Sequence, residues 1–307
     1  MKDGGGSSGT GASAEQASDP AKVGEETAGQ LIQLLSEGDV GPGNEWSIIG
    51  IARSSLSEEA EAQALFTEYE ESLRLAVKRT KGVLDPDRPT DNARAAIALK
   101  VIGGDPSDVE GYDLLAQLED ADAVKDQGIN AEIWALNAAN CCDRELKAQD
   151  IYAGDILGMQ LDDGSITFDG QTKDVDITAM AVYALAPLAE KGIKIPDTRG
   201  GEESAEVAAA DMVDAGLRWL AAQQSADGDY GNSESTSQVI LAAASAGEDP
   251  AADFVKDGKN LIDGQLLYKC PGGFCHQQGD EMDVMATEQA LCAIDGALLE
   301  QQGERLF

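Results

Sequence analysis

The stretch GLRWLAAQQSADGDYGNSESTSQVILAAASA, residues 216–246, holds a helix ending in Gln-Gln, an acidic turn with glycine, and a second helix of small residues opened by Asn, Ser, Glu and Thr. Relatives of that second helix recur along the chain. They are NEWSIIGIA from Asn44, TDNARAAIALKVIGG from Thr90, INAEIWALNAAN from Ile129, DVDITAMAVYALAPL from Asp174, SESTSQVILAAASAG from Ser233 and DVMATEQALCAIDGAL from Asp283. The starts lie 46, 39, 45, 59 and 50 residues apart. A helix, turn, helix unit repeated at this period makes the chain an array, and an array fixes the architecture before any chemistry is argued.

Each of the six segments is preceded by a more charged and amphipathic one, at roughly 25–37, 58–81, 107–119, 146–160, 204–224 and 257–268. A helix apolar on every side is buried on every side, whereas one with a charged face lies against solvent. Inner helices therefore alternate with outer ones. An open solenoid ends in polar caps, yet the first and last inner segments are as apolar as the middle ones. The expected fold class is all-α: an α/α toroid of six helical hairpins, with inner and outer rings and the inner-helix starts gathered at one mouth.

The repeat spans residues 23–307, which leaves room for one domain. Hydrophobic residues make up 42% of the chain, enough for a full core. Residues 1–22, MKDGGGSSGTGASAEQASDPAK, are too rich in Gly, Ser and Ala to form one, and read as a disordered linker or tether. Such a stretch is expected where a secretion or lipoprotein signal has been trimmed, which places the protein outside the cell or at its surface. No run approaches the ~18 apolar residues of a membrane span.

The net charge is −35, and such a surface repels phosphate backbones and anionic membranes. Nucleic-acid binding is excluded on that ground. With 13 Lys and 9 Arg the chain lacks the lysine depletion expected of a strongly salt-adapted protein, which favours an acidic surface protein from an ordinary host.

Of the five cysteines, Cys270 and Cys275 flank a Pro-Gly-Gly-Phe turn and are spaced for a small loop disulfide, with free thiols as the alternative. Together with His276, the only histidine, they form a weak candidate metal site, at a spacing unlike that of ordinary zinc ligands. Cys292 reads as a small buried apolar residue. Cys141 and Cys142 are adjacent, and neighbouring cysteines seldom bond to each other.

AGLRWLAAQQSADGDYG, with Trp219, Gln223, Gly228 and Tyr230, resembles the repeat of the terpenoid cyclase and protein prenyltransferase toroid superfamily. ILGMQLDDGSITF, with Gln160 and Gly164, is similar, and LLYKCPGGF, with Gly273 and Phe274, is a degenerate third copy. Within that superfamily NEWSIIGIARS, GINAEIWALNA, DITAMAVYALAP, ESTSQVILA and MATEQAL most resemble bacterial surface proteins with prenyltransferase and squalene-oxidase-type repeats. Those proteins share the toroid with the vertebrate cobalamin carriers, intrinsic factor and transcobalamin. The resemblance implies a ligand-binding role, and makes a corrinoid one possible ligand; no resident cofactor is expected. In the carriers the ligand lies against a separate β domain, which this chain lacks, so further C-terminal domains are a possible partner.

Two enzymatic readings follow from the same resemblance. Class II terpene cyclases protonate an alkene or epoxide with the middle carboxyl of an Asp-x-Asp-Asp-Thr-Ala segment. Asp174-Val175-Asp176-Ile177-Thr178-Ala179 puts Asp176 at the acid position and Ile177 where the next Asp would stand. A helix-start carboxylate favoured by the dipole is the plain reading of Asp176, with Asp174 beside it as the other catalytic candidate. Prenyltransferases hold zinc through Asp, Cys and His, and the last inner segment offers Asp283, Glu288 and Cys292 with no histidine.

What remains is the mouth. Asp, Asn, Ser and Thr there are accounted for as helix caps, but Arg94, Glu132, Gln238, Glu288 and Gln289 lie in the first turn or beyond. These five, with Glu45, Asp176 and Glu234 beside them and Trp46 and Trp134 as apolar platforms, are the candidate ligand site, provided the lumen is open. Arg94 could equally be an internal counter-ion. The mixture suits a polar small molecule, a glycan or a peptide bound by a non-catalytic surface module; the alternatives are a cyclase-like enzyme using Asp176 and an adhesion scaffold working through its outer surface.

Overall fold

A computed structural model describes residues 19–197, 199 and 206–307. Among them are twelve α-helices: α1 (Pro20–Leu35), α2 (Glu45–Arg53), α3 (Ala60–Thr80), α4 (Pro89–Val101), α5 (Ala121–Asp126), α6 (Ile129–Cys141), α7 (Gln149–Gly158), α8 (Val175–Glu190), α9 (Ala209–Gln223), α10 (Ser233–Ser245), α11 (Leu261–Leu266) and α12 (Val284–Glu300). Strands are confined to four antiparallel hairpins of two or three residues a side. The chain is all-α.

Of the stretch read as a linker, residues 1–18 lie outside the described residues, while Pro20, Ala21 and Lys22 open α1. Asp19 caps that helix by accepting from the Ala21 N–H at 3.1 Å, and proline is accommodated in the first turn, where no amide partner is required.

The even-numbered helices coincide with the six small-residue segments. In α10 every residue from Ser235 to Ser245 is buried. Helix α3 instead buries one stripe, Ala62, Leu65, Phe66, Tyr69, Leu73 and Val77, spaced three or four apart, and turns Glu and Arg outward. Burying one such leucine stabilises by about 2 kcal/mol. Helix α2 packs on α4, α4 on α6, α6 on α8, α8 on α10, α10 on α12, and α12 on α2. The other helices pack on individual members of this set: α1 against α12, α2 and α3, α7 against α6, α9 against α8, and α11 against α10. Contact across the α12–α2 seam is close, since a Cβ on Gly50 would stand 2.9 Å from Leu291 Cδ2.

Two outer elements are shorter than expected. Residues 107–119 hold only a turn of 3-10 helix, Ala116–Glu119. Upstream, Glu110 at φ 55° and Gly111 at φ 85° reverse the chain and pair Val109 with Tyr112, which no continuous helix could do. Likewise 257–268 contains only α11, because Lys259–Asn260 pair with Val255–Lys256.

One device recurs before three inner helices. Ile166, Tyr230 and Phe274 each donate their backbone N–H to a threonine hydroxyl, Thr178 at 2.8 Å, Thr236 at 3.1 Å and Thr287 at 2.9 Å. Each threonine donates in turn to the N-cap carbonyl four residues back, on Asp174, Asn232 and Asp283. In the first two copies a glutamine amide, half-buried at Gln160 and buried at Gln224, ties the turn to the next element. Gln160 Nε2 donates to the carbonyls of Gly164 (3.2 Å) and Met212 (3.1 Å), and Gln224 Nε2 to those of Gly228 (3.2 Å) and Phe254 (3.2 Å). The repeat glutamine of the second copy is thus Gln224 and not Gln223, which is exposed. Gly164 and Gly228 stand at φ 94° and 92°, and a Cβ on either would fall 2.2–2.3 Å from the carbonyl oxygen of Ala215 or Asn260. Only glycine fits.

Candidate functional site

Inner-helix starts need acceptors for their free N–H groups. Asp174, Asn232 and Asp283 supply them, accepting from Ile177 (2.8 Å), Ser235 (2.7 Å) and Ala286 (2.9 Å). The role of Asp174 is therefore structural. The remaining residues of interest point away from the caps and divide into four groups.

The first is aromatic and fills the middle of the inner helices. Trp46 meets Trp134 edge-on with ring centroids 5.5 Å apart, and Phe307 packs on Trp46 (6.1 Å), Trp134 (6.2 Å) and Tyr183 (5.7 Å). The Arg53 Nε donates to the Leu306 carbonyl at 2.9 Å and holds this segment in place. Trp134 is buried. Trp134 is consequently not an open platform, Trp46 is half-buried, and Phe307 packs on both where open space was expected.

Above it lies an amide chain. The Tyr183 hydroxyl donates to Gln238 Oε1 at 3.1 Å, and Gln238 Nε2 donates to Gln289 Oε1 at 3.0 Å. These buried amides join α8, α10 and α12 and satisfy one another, a structural role for two residues read as ligand contacts. Asp176 lies nearby with its Oδ1 buried and without a partner. Burial raises its carboxyl above the ordinary range, opposed by the Ser235 hydroxyl and reinforced by the charges of Asp174 and Glu234.

The third group is a charged cluster joining α2, α4 and α12. Glu45 accepts from the Gly43 N–H at 2.9 Å and from the Tyr69 hydroxyl at 3.2 Å, while burial raises its carboxyl despite the facing Arg94 guanidinium. Glu288 accepts from the Ser47 hydroxyl at 2.7 Å, and burial pushes it up to about 7, with Glu45 raising it further and Arg94 opposing. Arg94 bonds Asp91 at 2.9 Å, and its Nε is buried without a partner. Arg94 is thus an internal counter-ion with one donor left over.

Two candidates stand apart. Glu132 faces outward from α6, towards Lys125 and Asp155, and contributes nothing to the mouth; burial, then the Asp155 charge, push its carboxyl up to about 8. Lys125 and Asp155 form an ion pair at 2.6 Å. Glu234 sits at the rim, 2.8 Å from His276 Nδ1. That contact takes His276 to a carboxylate, and among the described residues no group of three or more His, Cys, Asp or Glu could hold a metal ion. Cys270 and Cys275 are free thiols across the 269–274 hairpin, with Cys275 Sγ donating to the Tyr268 carbonyl at 3.1 Å.

The open space of this region adjoins the charged cluster. A cavity of about 640 Å³ lies between α3, α4 and the loop before α2. Glu45 and Arg94 form its inner wall, Arg79, Arg88, Asp85 and Asp91 its sides, and the exposed Leu75 its lip. Arg88 is tied to Asp85 (3.3 Å) and Asp91 (2.8 Å), whereas no carboxylate lies within ion-pairing distance of Arg79 among the described residues. Of this lining only Glu45 and Arg94 belong to the candidate site read from the sequence; Leu75, Arg79 and Arg88 lie outside the inner-helix starts on which that reading rested.

No family model and no curated protein sequence matches this chain.

Proposed function

We propose that the chain is an α/α toroid of six hairpins, similar to those of the terpenoid cyclase and prenyltransferase superfamily, serving as a non-catalytic ligand-binding module outside the cell or on its surface. Ring closure is supported by the order of helix neighbours, which runs through all six inner helices and returns to α2. The Gln-Gly-Thr device repeated before α8 and α10, and its partial copy before α12, supports the superfamily reading.

The binding role rests on one observation: Glu45 and Arg94 form the inner wall of a cavity of about 640 Å³, within the ~300–1,000 Å³ typical of small-molecule sites. Arg79 and the Arg94 guanidinium offer donors, Asp85, Asp91 and Glu45 offer acceptors, and Leu75 offers an apolar edge. That mixture fits a polar ligand bearing a carboxylate, such as an acidic sugar unit of a glycan or a peptide end. A thermal-shift series with glucuronate, a Gly-Leu dipeptide and cyanocobalamin, run on wild type, Arg79→Ala and Arg94→Ala, tests it. A ligand at ~100 times its Kd stabilises by about 2.7 kcal/mol, so glucuronate or the dipeptide should raise the melting temperature of wild type alone. Silence towards all three at millimolar concentration would overturn the cavity reading; a response to cyanocobalamin that survives both substitutions would move the site elsewhere.

A second reading has its own observation, the buried Asp176 with an unpartnered Oδ1 and a raised carboxyl. A carboxyl held protonated can act as a general acid. It requires substrate to displace Phe307, and turnover of a prenyl substrate that is lost in Asp176→Asn would establish it.

A further inference from the structure

The five cysteines differ sharply in surroundings. Cys292 is wholly buried in α12, with its thiol pushed up by burial, and behaves as a small apolar residue. Cys141 and Cys142 are only half-buried, at the C-terminal end of α6, away from the charged cluster and its cavity. Cys141 closes the helix and Cys142 is its C-cap. The turn holding them is fixed by Asp143 at φ 51° and by the Arg144 N–H, which returns to the Ala139 carbonyl at 2.8 Å.

Adjacent in the chain, the two residues have Cα atoms about 3.8 Å apart, so both half-buried sulfurs are carried by one turn. The neighbouring Cys142 thiol, aided by the Arg53 and Lys100 charges, draws the Cys141 thiol below its ordinary range against the effect of burial; Cys141, with burial, pushes Cys142 up. Cys270 and Cys275, by contrast, have four residues between them across a hairpin, and Cys275 is buried.

We propose that Cys141 and Cys142 form a vicinal dithiol site that captures thiophilic species able to bridge two sulfurs, the class represented by trivalent arsenicals. With phenylarsine oxide hydrated as phenylarsonous acid, the Cys141 thiolate attacks arsenic and one As–O bond breaks as hydroxide leaves with a proton. The Cys142 thiol then displaces the second hydroxide. Two As–S bonds form and two waters depart, with the oxidation state of arsenic and sulfur unchanged. The acid is uncharged, so the −35 surface does not repel it. Once one sulfur is bound, the second acts at the high effective concentration of a neighbour on the same turn.

The test uses the reduced full chain, one equivalent of phenylarsine oxide and intact-mass measurement. The expected result is a single phenylarsenic adduct that survives about tenfold excess glutathione, a monothiol, but is stripped by 2,3-dimercaptopropanol. Cys141→Ser and Cys142→Ser should each abolish the glutathione-resistant adduct, while the Cys270→Ser, Cys275→Ser double variant keeps it. If either single variant fails to fold, alkylation of the wild type decides: the arsenical should shield both Cys141 and Cys142 from iodoacetamide. An adduct that maps to Cys270 and Cys275, persists in Cys141→Ser, or leaves Cys141 and Cys142 open to alkylation overturns the proposal.

Discussion

At the scale of single residues, the clearest contrast is between two neighbouring glutamines. Gln224 is 2% exposed and serves two backbone carbonyls, whereas Gln223 is exposed. Removing a buried partner leaves acceptors unsatisfied at about 1–3 kcal/mol. Gln224→Ala should therefore destabilise by about that amount, and Gln223→Ala by less than ~0.5 kcal/mol, in urea unfolding; equal effects would sink the assignment of Gln224 as the repeat glutamine. Asp295 makes a second residue-scale case. It is buried in α12 with an oxygen lacking any partner, and burial pushes its carboxyl up to about 8. In the unfolded chain it titrates near ~4, so between those values the native state holds the extra proton. That contribution is full below about pH 4 and is lost as pH rises towards 8. The urea midpoint should fall from pH 5 to pH 8, and Asp295→Asn should flatten the fall, leaving the variant about 1 kcal/mol more stable than wild type at pH 8. An unaltered slope in the variant would assign the pH dependence elsewhere.

At the scale of elements, the threonine and glycine of each repeat turn fix how a hairpin enters its inner helix. Thr178→Val keeps the shape but strands the Ile166 N–H, at about 1–3 kcal/mol. Gly164→Ala should cost more than ~3 kcal/mol, because a Cβ 2.2 Å from the Ala215 carbonyl cannot be placed without moving backbone. Chemical denaturation of both variants checks the order, and a milder effect for Gly164→Ala than for Thr178→Val would contradict it. This is also where the limits of the sequence lie. Inner-helix starts were legible because caps and runs of small residues are local signals. The sequence points to Gln223 where the structure uses Gln224, because a one-residue shift at a helix end leaves the local pattern intact and reverses which amide is buried. Helix phase is legible too: Glu132 and Trp134 are two apart on α6, so they do not face the same side. Phe307 between the tryptophans was invisible, since that contact spans most of the chain.

At the scale of the whole molecule, 57 acidic residues against 22 basic ones repel one another across the folded surface more than across an expanded chain. Added sodium chloride screens this within about 10 Å at 0.1 M, so the melting temperature should rise with salt over the first few hundred millimolar and level off. Ring closure makes a separate demand. An open array of repeats frays from its ends, because each terminal unit has one neighbour. In the proposed ring α2 and α12 cover each other, so neither is terminal in energetic terms, and their amides should exchange with solvent as slowly as those of α6 and α8. Gly50 provides the control, since it lies at the seam with Leu291 only 2.9 Å from where a Cβ would stand. Gly50→Leu should overpack that contact at about 1–3 kcal/mol and speed exchange in α2 and α12 together, leaving α6 and α8 protected. Native-state hydrogen exchange on the two proteins distinguishes the cases: rapid exchange of α2 and α12 already in the wild type would mean that the seam adds no stability and the array behaves as open.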